Sequence, residues 1–482
     1  MIEIYNLYNE KNIDAINNEL DNIIEKVNII KANNYEPTIK ECFAIKKDII
    51  NYVKSNKRII YGGTAWDELI KNKDPNDKIY NENDCNDVEF YSPKPIDDIV
   101  KLCKILNNKY KFVRAQEAQH PETYNIFVNF KAMCDITYMP SPIFYGIKKQ
   151  TIKGIDYIHP SVILIDILRQ YNDPINSYWR LKDKKVFFRA NKILKHFPLQ
   201  LENGKLKSNT NINKEIIEYV FLNIKNIKSL VFLIPSFYLN PNSDKIKFDD
   251  HFIVFTDNFI NDVKIIYSII LKFLSEKNML DKADDIIKID QYVPFYQYWD
   301  QRIIFKYNDI PFLIIQGHNQ ICIPCHEVYV NKNKIENIVF GTLKNDKKEE
   351  FNLIKLGTFI MLLNYCIVNY HYHYIYNKDN CKNIDIIIYN LLETRNKYLE
   401  NNKLTVIDKS RFQEFIIECY GNTIDMNRQK QLRINKRKEK GVRWVFSYDP
   451  NNDNDNDKAY LNVNYKNTSG YINNKSIKWL TE

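Results

Sequence analysis

At residues 58–66 the chain reads RIIYGGTAW, an apolar, strand-like run that leads into two glycines and a threonine. Glycines at a strand-to-helix turn let the backbone come close to an anion, with the amides facing its charge. We therefore predict a strand followed by a triphosphate-binding turn formed by Gly62, Gly63 and Thr64. The helix that follows is predicted to start near Trp66.

Three acidic residues follow the glycines in a pattern typical of a metal site. Asp87 and Glu89 alternate with one apolar residue, and positions i and i+2 of a strand share a face. Asp135 lies in a second strand-like run, residues 127–139. If the two strands are neighbours, three carboxylates converge and repel each other unless cations neutralise them. Two Mg²⁺ or Mn²⁺ ions suit such oxygen ligands, so these acids are the predicted metal-binding and catalytic residues.

The order of the motif, glycines first and acids after, predicts nucleotidyl transfer. Two divalent cations can hold an incoming triphosphate and activate an attacking hydroxyl group. The alternative is an exposed acidic strand edge with an unrelated aspartate, because an acid-apolar-acid triplet is common in strands.

Composition limits the class of protein. The chain has 482 residues, 44% of them hydrophobic, so two or three folded domains are expected. The nine cysteines show no disulfide framework, which predicts free thiols in a reducing compartment. The polar N-terminus predicts no signal peptide, and the longest apolar stretch, residues 359–368, is too short to span a bilayer. The net charge of +9 is compatible with a polyanionic partner.

The alternation of strand-like and helix-like patterns predicts an α+β fold in four parts. These parts are an N-terminal helical region (1–54), a catalytic nucleotidyltransferase domain with flanking helices (55–200), a C-terminal domain with helices (201–450) and a polar tail (451–482). Polar residues 71–85 predict a long loop between the first helix and the catalytic strand. Helices are also predicted at residues 353–377 and 384–401.

A second α/β stretch resembles a degenerate copy of the first. Residues 89–100 align without gaps with residues 253–264, and a turn between paired strands is predicted at Asn308 and Asp309. The alignment places His251 and Ile253 at the positions of the first two acids. The copy is therefore predicted to be a scaffold or an RNA-binding surface. The alternative is that two ordinary α/β units look alike.

Two basic segments are candidates for contacts with nucleotides and RNA. In the helical region after the catalytic strands, basic residues continue to Arg189, and the candidate ATP contacts are Ser177, Tyr178 and Arg180. Near the C-terminus, clustered cations precede aromatic residues that could stack on bases. The candidate RNA contacts there are Arg428, Arg433, Lys436, Arg437, Lys440 and Arg443. Solvated helical surfaces are the alternative for both segments.

The sequence around Cys322, Cys325 and His326 matches a haem-attachment pattern. A zinc site is the other alternative, but a fourth ligand is lacking. We predict that these residues pack in the core at the end of a strand.

Four segments resemble the catalytic poly(A) polymerase subunit of poxviruses and related large cytoplasmic DNA viruses. They read YGGTA at 61–65, DVEFYS at 87–92, TYNI at 123–126 and CDITYM at 134–139. The resemblance implies a polymerase-β-like nucleotidyltransferase domain and a second, degenerate one. It also implies ATP as the donor and the 3′ end of viral mRNA as the acceptor, without a template.

The resemblance implies roles and partners as well. Asp87 and Glu89 would hold both metal ions, and Asp135 the ion that activates the RNA 3′-hydroxyl. The poxvirus enzyme works with a methyltransferase subunit, and the sequence leaves open a homodimer or a viral processivity partner. The implied location is the viral factory in the host cytoplasm, and packaging in the virion stays open.

The sequence leaves two other functions open. One is another RNA nucleotidyltransferase, which adds UMP or makes oligoadenylate without a primer. The other is a catalytically silent RNA-binding protein on the same fold.

Overall fold

The computed structural model contains two mixed β-sheets with helices packed on them. The residues that the structure describes are 6–81, 84–175, 177, 182, 184–206, 213–243, 251–318, 323–333, 338–340, 349–421, 426–439, 446–452 and 472–473.

The strands fall into two groups along the chain. Those of the first sheet are β1 (Ile59–Tyr61), β2 (Val88–Ser92), β3 (Arg114–Glu117), β4 (Thr123–Val128), β5 (Lys131–Tyr138), β6 (Lys149–Ile152), β7 (Ile155–Ile158) and β17 (Ser447–Tyr448). Those of the second are β8 (Leu230–Leu233), β9 (Phe252–Thr256), β10 (Ile287–Tyr292), β11 (Arg302–Tyr307), β12 (Ile310–Gly317), β13 (Ile323–Asn331), β14 (Ile338–Phe340), β15 (Phe351–Gly357) and β18 (Ile472–Asn473), while β16 (Cys419–Tyr420) pairs with β13.

Helices precede, connect and follow these strands. They are α1 (Glu10–Tyr35), α2 (Ile39–Ser55), α3 (Gly62–Lys73), α4 (Pro95–Asn107), α5 (Ser141–Gly146), α6 (Pro160–Tyr171), α7 (Lys185–His196), α8 (Lys214–Ile224), α9 (Pro235–Leu239), α10 (Phe259–Glu276), α11 (Ala283–Ile286), α12 (Phe359–Tyr376), α13 (Cys381–Asn401) and α14 (Met426–Glu439).

The first sheet has the strand order β17, β3, β4, β5, β2, β1, β7, β6. Strand β2 lies at its centre, antiparallel to β1 and parallel to β5. Helix α2 begins with a capping box between Thr38 and Glu41, and it buries Ile45, Ile49 and Val53 at helical spacing. These apolar residues join the core beneath the central strands.

The second sheet repeats this topology over eight strands and adds β14 and β16. Its order is β18, β10, β11, β12, β9, β8, β15, β13, β14. Central strand β9 is antiparallel to β8 and parallel to β12, as β2 is to β1 and β5. The next pairs, β15 with β8 and β7 with β1, are both parallel. The mixed α+β fold is confirmed, and the shared order supports an internal repeat.

Local contacts also match between the two units. The hydroxyl of Ser92 hydrogen-bonds to buried Asp98, and the hydroxyl of Thr256 does the same to buried Asp262. Each pair ties the end of a central strand to the first turn of the next helix, with the spacing that the gap-free alignment predicts. The hairpins turn at residues 129–130 and 308–309, all four with positive φ.

The second unit lacks the acids. His251 stands immediately before β9, and Ile253 lies on it. Sheet register pairs Ile253 with Ile314, just as it pairs Glu89 with Asp135 in the first unit. The predicted loss of two acids is therefore seen in the structure, and register identifies Ile314 as the counterpart of the third.

Some predicted element boundaries are wrong. Residues 353–357 form the end of β15, and the helix begins at Phe359 after Thr358, whose hydroxyl accepts the amide of Met361. Residues 353–357 read LIKLG, a run too short to show by its period that it is a strand and not the first turn of the apolar helix that follows. Residues 127–139 form two strands joined by a turn, and α3 starts at Gly62 rather than near Trp66.

The cysteines are mostly free. Of the eight cysteines that the structure describes, seven are free thiols and Cys419 is disulfide-bonded, so the prediction of free thiols throughout is wrong there. Cys325 and His326 are buried in β13, where the ring of His326 packs edge-on against Phe340. Core packing is confirmed for these two, and Cys322 lies outside the described residues.

Within the described ranges, no helix combines the length and apolar character needed to cross a bilayer.

Candidate active site

The glycine turn joins β1 directly to α3. Gly62 has φ +66°, in the left-handed region, and a Cβ atom here would overlap with the carboxylate of Glu89. A Cβ atom on Gly63 would overlap with the hydroxyl of Tyr80. Glycine is therefore required at both positions by close approach, and at Gly62 also by conformation.

Polar contacts fasten this turn to the acidic strand. The backbone amide of Gly63 donates to Oε2 of Glu89 at 2.8 Å, so the start of α3 faces a negative charge. The hydroxyl of Thr64 donates to the carbonyl of Asp87 at 2.9 Å. Thr64 thus holds the backbone that carries the first acid.

Sheet register brings the three acids together. Asp87 immediately precedes β2 and Glu89 lies on it. Asp135 on β5 is the direct neighbour of Glu89 across the parallel pair. The amide of Asn125 on β4 donates to Asp135 at 2.5 Å and orients its carboxylate. The predicted convergence of the three acids is therefore present.

Burial makes this site electrostatically unfavourable for negative charge. The pKa of Glu89 is raised to about 8, first by burial and then by Asp87, against the hydrogen bond from Gly63. Burial raises the pKa of Asp135 to about 6, against the hydrogen bond from Asn125. Burial also raises the pKa of Asp87.

The acidic site fits divalent cations by the chemistry of its donors. Three half-buried carboxylates meet at one end of a sheet, and none of them forms an ion pair with a residue that the structure describes. Oxygen ligands of this kind are those that Mg²⁺ and Mn²⁺ prefer. Cations bound here would remove the repulsion that raises these pKa values.

A different group has its ligand atoms closer together. Among the described residues, the atoms of Asp74, Asp77 and His196 lie within 4.8 Å of one another. Hydrogen bonds from Lys195, His196 and Lys192 lower the pKa of Asp77, so its charge is already compensated. We interpret this group as a structural clamp rather than a metal site.

The clamp holds the predicted long loop against α7. This loop, residues 71–85, is an insertion between the first helix and the catalytic strand. Lys192 donates to the carbonyls of Asp77 and Lys78 at 2.7 and 2.9 Å. The carboxylate of Asp67 on α3 accepts hydrogen bonds from the backbone amides of Ile79 and Tyr80 in the same loop. The insertion is thereby folded back, and the hydroxyl of Tyr80 reaches the glycine turn.

Arg189 is a residue of the site that the sequence analysis named only as part of a basic segment, without listing it among the candidate ATP contacts. It projects from α7, and its guanidinium lies 5.2 Å from the ring centroid of Tyr80. Its positive charge lowers the pKa values of Asp87 and Glu89 against the effect of burial. The sequence shows several basic residues in this segment. The contacts between α7 and residues 77–80 show that Arg189 is the one that lies near the acids.

The predicted ATP contacts are only partly described. Ser177 is buried, and its backbone amide donates to the carbonyl of Asp173 at 3.0 Å. Tyr178 and Arg180 lie outside the described residues.

The predicted RNA-binding segment includes α14, which packs at the end of β3. Arg433 pairs with Glu117 at 3.4 Å and donates to the carbonyl of Gln119 at 3.0 Å. Arg428 is exposed on the same helix. The side chains of Lys436 and Arg437, together with Lys440 and Arg443, lie outside the described part of the chain.

Comparison with known proteins agrees with this site. A family model described as "Poly(A) polymerase catalytic subunit" matches residues 47–177, which include the glycine turn and all three acids. A second, "APMV, Putative poly(A) polymerase, catalytic subunit, C-terminal", matches residues 250–481. The "Putative poly(A) polymerase catalytic subunit" of Acanthamoeba polyphaga mimivirus is 32% identical over 469 residues, which cover 92% of this chain and 78% of that relative. The chain belongs to the viral poly(A) polymerase catalytic subunit family.

Other members of this family extend the likeness. The crystal structure of the Megavirus polyadenylate synthase superposes with a TM-score of 0.77 at 28% identity, covering 98% of this chain and 93% of that one. The "Putative poly(A) polymerase catalytic subunit" of African swine fever virus is 28% identical over 173 residues, or 35% of this chain and 36% of that relative. The likeness to the giant-virus proteins thus spans both sheets.

Proposed function

We propose that this member of the family is a template-independent polynucleotide adenylyltransferase that adds AMP from ATP to the 3′ end of viral mRNA. The observation that carries the proposal is the register pair of Glu89 and Asp135, with Asp87 beside them and the glycine turn facing them. This arrangement is suited to hold a triphosphate against an attacking hydroxyl group. The viral relatives support the source of the mRNA.

The three acids are the proposed holders of two divalent cations, Mg²⁺ or Mn²⁺. Asp87 and Glu89 would share both ions, and Asp135 would bind the one on the side of the RNA 3′-hydroxyl. Bound there, the cations supply charge neutralisation for the triphosphate and lower the pKa of the attacking hydroxyl.

The residues of the chain itself contribute position and charge. Gly62 and Gly63 let Glu89 and Tyr80 approach the start of α3, because a Cβ atom at either position would overlap with those side chains. The backbone amides of this turn are proposed to bind the triphosphate beside them. Arg189 supplies a positive charge beside the acids, where negative charge develops on the departing pyrophosphate. Asn125 keeps the Asp135 carboxylate in one orientation. In-line attack on the α-phosphorus then depends mainly on alignment.

Further parts of the proposal rest on sequence. Thr64, Ser177, Tyr178 and Arg180 are proposed to contact ATP. The proposed RNA contacts are Arg428, Arg433, Lys436, Arg437, Lys440 and Arg443. We also propose the division into residues 1–54, 55–200, 201–450 and 451–482, and action in the viral factory of the host cytoplasm.

Helix α1 supports a homodimer as the form of the enzyme. All of its described side chains are exposed, and its apolar residues follow a heptad pattern. The a and d positions are Ile13, Ile16, Leu20, Ile23, Val27 and Ile30, each between 42 and 58% exposed. An amphipathic helix of 26 residues with this seam is expected to pair with another helix.

Charge favours an antiparallel pair formed with a second copy. In that orientation Glu19 meets Lys26 of the other helix, and Glu10 meets Lys31, each twice by symmetry. A parallel pair would instead bring Lys26 against Lys31. We therefore propose an antiparallel α1–α1 contact rather than a separate processivity partner on this helix.

The proposed activity is tested by primer extension with each of the four NTPs separately, single-stranded RNA, and Mg²⁺ or Mn²⁺. ATP should extend the primer, and Asp87→Asn should abolish extension while the exposed Asp281→Asn does not. Extension with UTP alone would indicate a uridylyltransferase, and ATP polymerisation without primer would indicate oligoadenylate synthesis. No product with any nucleotide would favour a silent RNA-binding protein.

The role of Arg189 is tested in the same assay. Arg189→Gln should lower kcat/KM for ATP by about tenfold or more, because one charged hydrogen bond or ion pair contributes roughly 1.5–3 kcal/mol. Lys182→Gln, an exposed cation of the same segment, should leave kcat/KM within about twofold. Equal effects of the two variants would remove Arg189 from the proposed site.

A further inference from the structure

An exposed group of aromatic and basic side chains lies at the tip of the β4–β5 hairpin. We call Lys111, Phe112, Arg114 and Phe130 the tip patch. Phe112 is 62% exposed and Phe130 is 49% exposed, and their ring centroids lie 5.1 Å apart. The backbone amide of Asn129 donates to the carbonyl of Lys111, which holds the two loops together. Two large rings thus face solvent side by side on a fixed platform.

The cations of the tip patch are available to an anion. Lys111 and Arg114 are both exposed, and neither forms an ion pair with a residue in the described ranges. The guanidinium of Arg114 lies 5.9 Å from the ring centroid of Phe130 and 5.8 Å from that of Phe127. Positive charge therefore lies alongside the exposed rings, in the combination that proteins use to bind single-stranded nucleic acids.

A cavity of about 480 Å³ opens beside these rings. It is also lined by Asn107 and Asn451, whose side-chain amides hydrogen-bond to each other at 2.7 and 3.1 Å. Asp449 lines it as well, and its carboxylate accepts the backbone amide of Asn451 at 2.9 Å. The lining of the cavity thus combines aromatic rings with amide groups, and these are the groups that contact the face and the edge of a nucleobase.

The tip patch lies at the end of the sheet where the acids meet. Phe130 precedes Asp135 by five residues along the hairpin, a separation of roughly 16 Å at about 3.3 Å per residue. Arg114 begins β3 and pairs with Phe127 at the same end. Unpaired RNA whose 3′ end reaches the acids can therefore extend to the tip patch within a few nucleotides.

We propose that the tip patch binds unpaired bases of the RNA upstream of its 3′ end by stacking on Phe112 and Phe130. Lys111 and Arg114 contact the neighbouring phosphates. The proposal rests on the proposed function, since it concerns the acceptor of that reaction. A protein partner is less favoured, because the centres of protein interfaces are depleted in uncompensated charge such as that of Lys111.

The experiment measures binding of a labelled single-stranded oligoadenylate to the full chain, without ATP or divalent cations. The double variant F112A/F130A should weaken binding by about tenfold or more, since base stacking contributes about 1–3 kcal/mol per base. F112Y/F130Y should bind as tightly as the wild type, because a tyrosine ring also stacks. Tyr145→Ala is the matched control: Tyr145 is 72% exposed but lies after the opposite end of β5.

An oligonucleotide with abasic sites at the upstream positions separates stacking from other effects. Wild type and F112A/F130A should bind this ligand equally, because it has no bases to stack. Lys111→Gln together with Arg114→Gln should instead reduce the salt dependence of binding, by about one unit of slope for each lost phosphate contact.

The outcomes distinguish this proposal from the proposed function. Equal binding of normal RNA by the wild type and F112A/F130A would overturn the tip patch, even if the wild type extends primers normally. A change of oligomeric mass in F112A/F130A with unchanged RNA affinity would also overturn it, in favour of a protein contact. An inactive wild type that still shows the expected binding differences would contradict the enzyme activity but support the tip patch.

Discussion

Glu89 and Asp135 are direct neighbours in register on two parallel strands. A hydrogen bond from the backbone amide of Gly63 to the Glu89 carboxylate joins this pair to the glycine turn. Two half-buried carboxylates on neighbouring strand positions repel each other and stabilise no core, so their placement indicates chemistry. The pair has no acidic counterpart in the second sheet, where isoleucines occupy both positions.

Single substitutions of the three acids should abolish activity without unfolding the protein. Asp87→Ala, Glu89→Gln and Asp135→Asn are each expected to reduce AMP incorporation by at least about 100-fold, because each removes a carboxylate that would hold the divalent cations beside the reacting phosphate. Primer extension at saturating ATP measures the loss, and circular dichroism checks the fold. Substantial AMP incorporation by Asp135→Asn would contradict the assignment.

Thermal stability should depend on the charge of Glu89. The pKa of this carboxyl is raised to about 8 in the folded protein from an ordinary 4.5, so its ionisation opposes folding increasingly as the pH rises between these values. Without divalent cations, Glu89→Gln should therefore raise the melting temperature at pH 8 by about 1–3 °C, and by less at pH 5. Mg²⁺ should raise the melting temperature of the wild type but hardly that of the triple variant of the acids. A wild type that is insensitive to Mg²⁺ would argue against a metal site here.

Two glycines with positive φ, Gly62 and Gly154, allow the effect of backbone strain on stability to be measured separately from the effect on activity. Gly62→Ala and Gly154→Ala should each lower the free energy of unfolding by about 1–2 kcal/mol, because both residues are left-handed, with φ of +66° and +78°. Only Gly62→Ala should also abolish AMP incorporation, since its Cβ meets Glu89 whereas that of Gly154 meets the flexible side chain of Lys54. Chemical denaturation and primer extension give the two readouts. Normal activity in Gly62→Ala would show that the turn does not serve the reaction.

The second sheet should be dispensable for chemistry. His251→Ala is expected to leave the rate of AMP incorporation within about twofold of the wild type, because the neighbouring positions are occupied by Ile253 and Ile314. Any loss should appear in stability or in RNA affinity. A rate as low as that of Asp87→Ala, in a folded variant with normal RNA affinity, would show that this position takes part in catalysis.

Charge exchange on α1 should reveal the orientation of the dimer. Lys26→Glu is expected to weaken dimerisation, because it places two acids opposite each other in the antiparallel pair, and adding Glu19→Lys should restore it. Sedimentation analysis over a range of concentrations measures both effects. Asn18→Glu on the outer face of α1 is the control and should change nothing. If Lys26→Glu strengthens association instead, the helices are parallel, because it would then attract Lys31.

Local rules were sufficient to recognise the chemistry of the site. Alternation by two residues places Asp87 and Glu89 on one side of a strand, and the paired glycines mark a turn that only glycine can form there. The same local patterns predicted α13 and the turn at Asn308, because each depends on residues that are close in sequence. They failed at residues 353–357, where the end of a strand is too short to be told by its period from the apolar helix that follows.

Contacts between distant segments were decided by the tertiary structure. That Asp135 pairs with Glu89, and that Ile314 is its counterpart, follows from sheet register, which a sequence pattern alone does not contain. The contacts that place Arg189 beside the acids depend on an insertion more than a hundred residues away, held by Asp77 and Lys192. Sequence thus determined which residue types could do the chemistry, because spacing along one strand is local. The tertiary structure decided which of them meet, because long-range pairing depends on the packing of the whole chain.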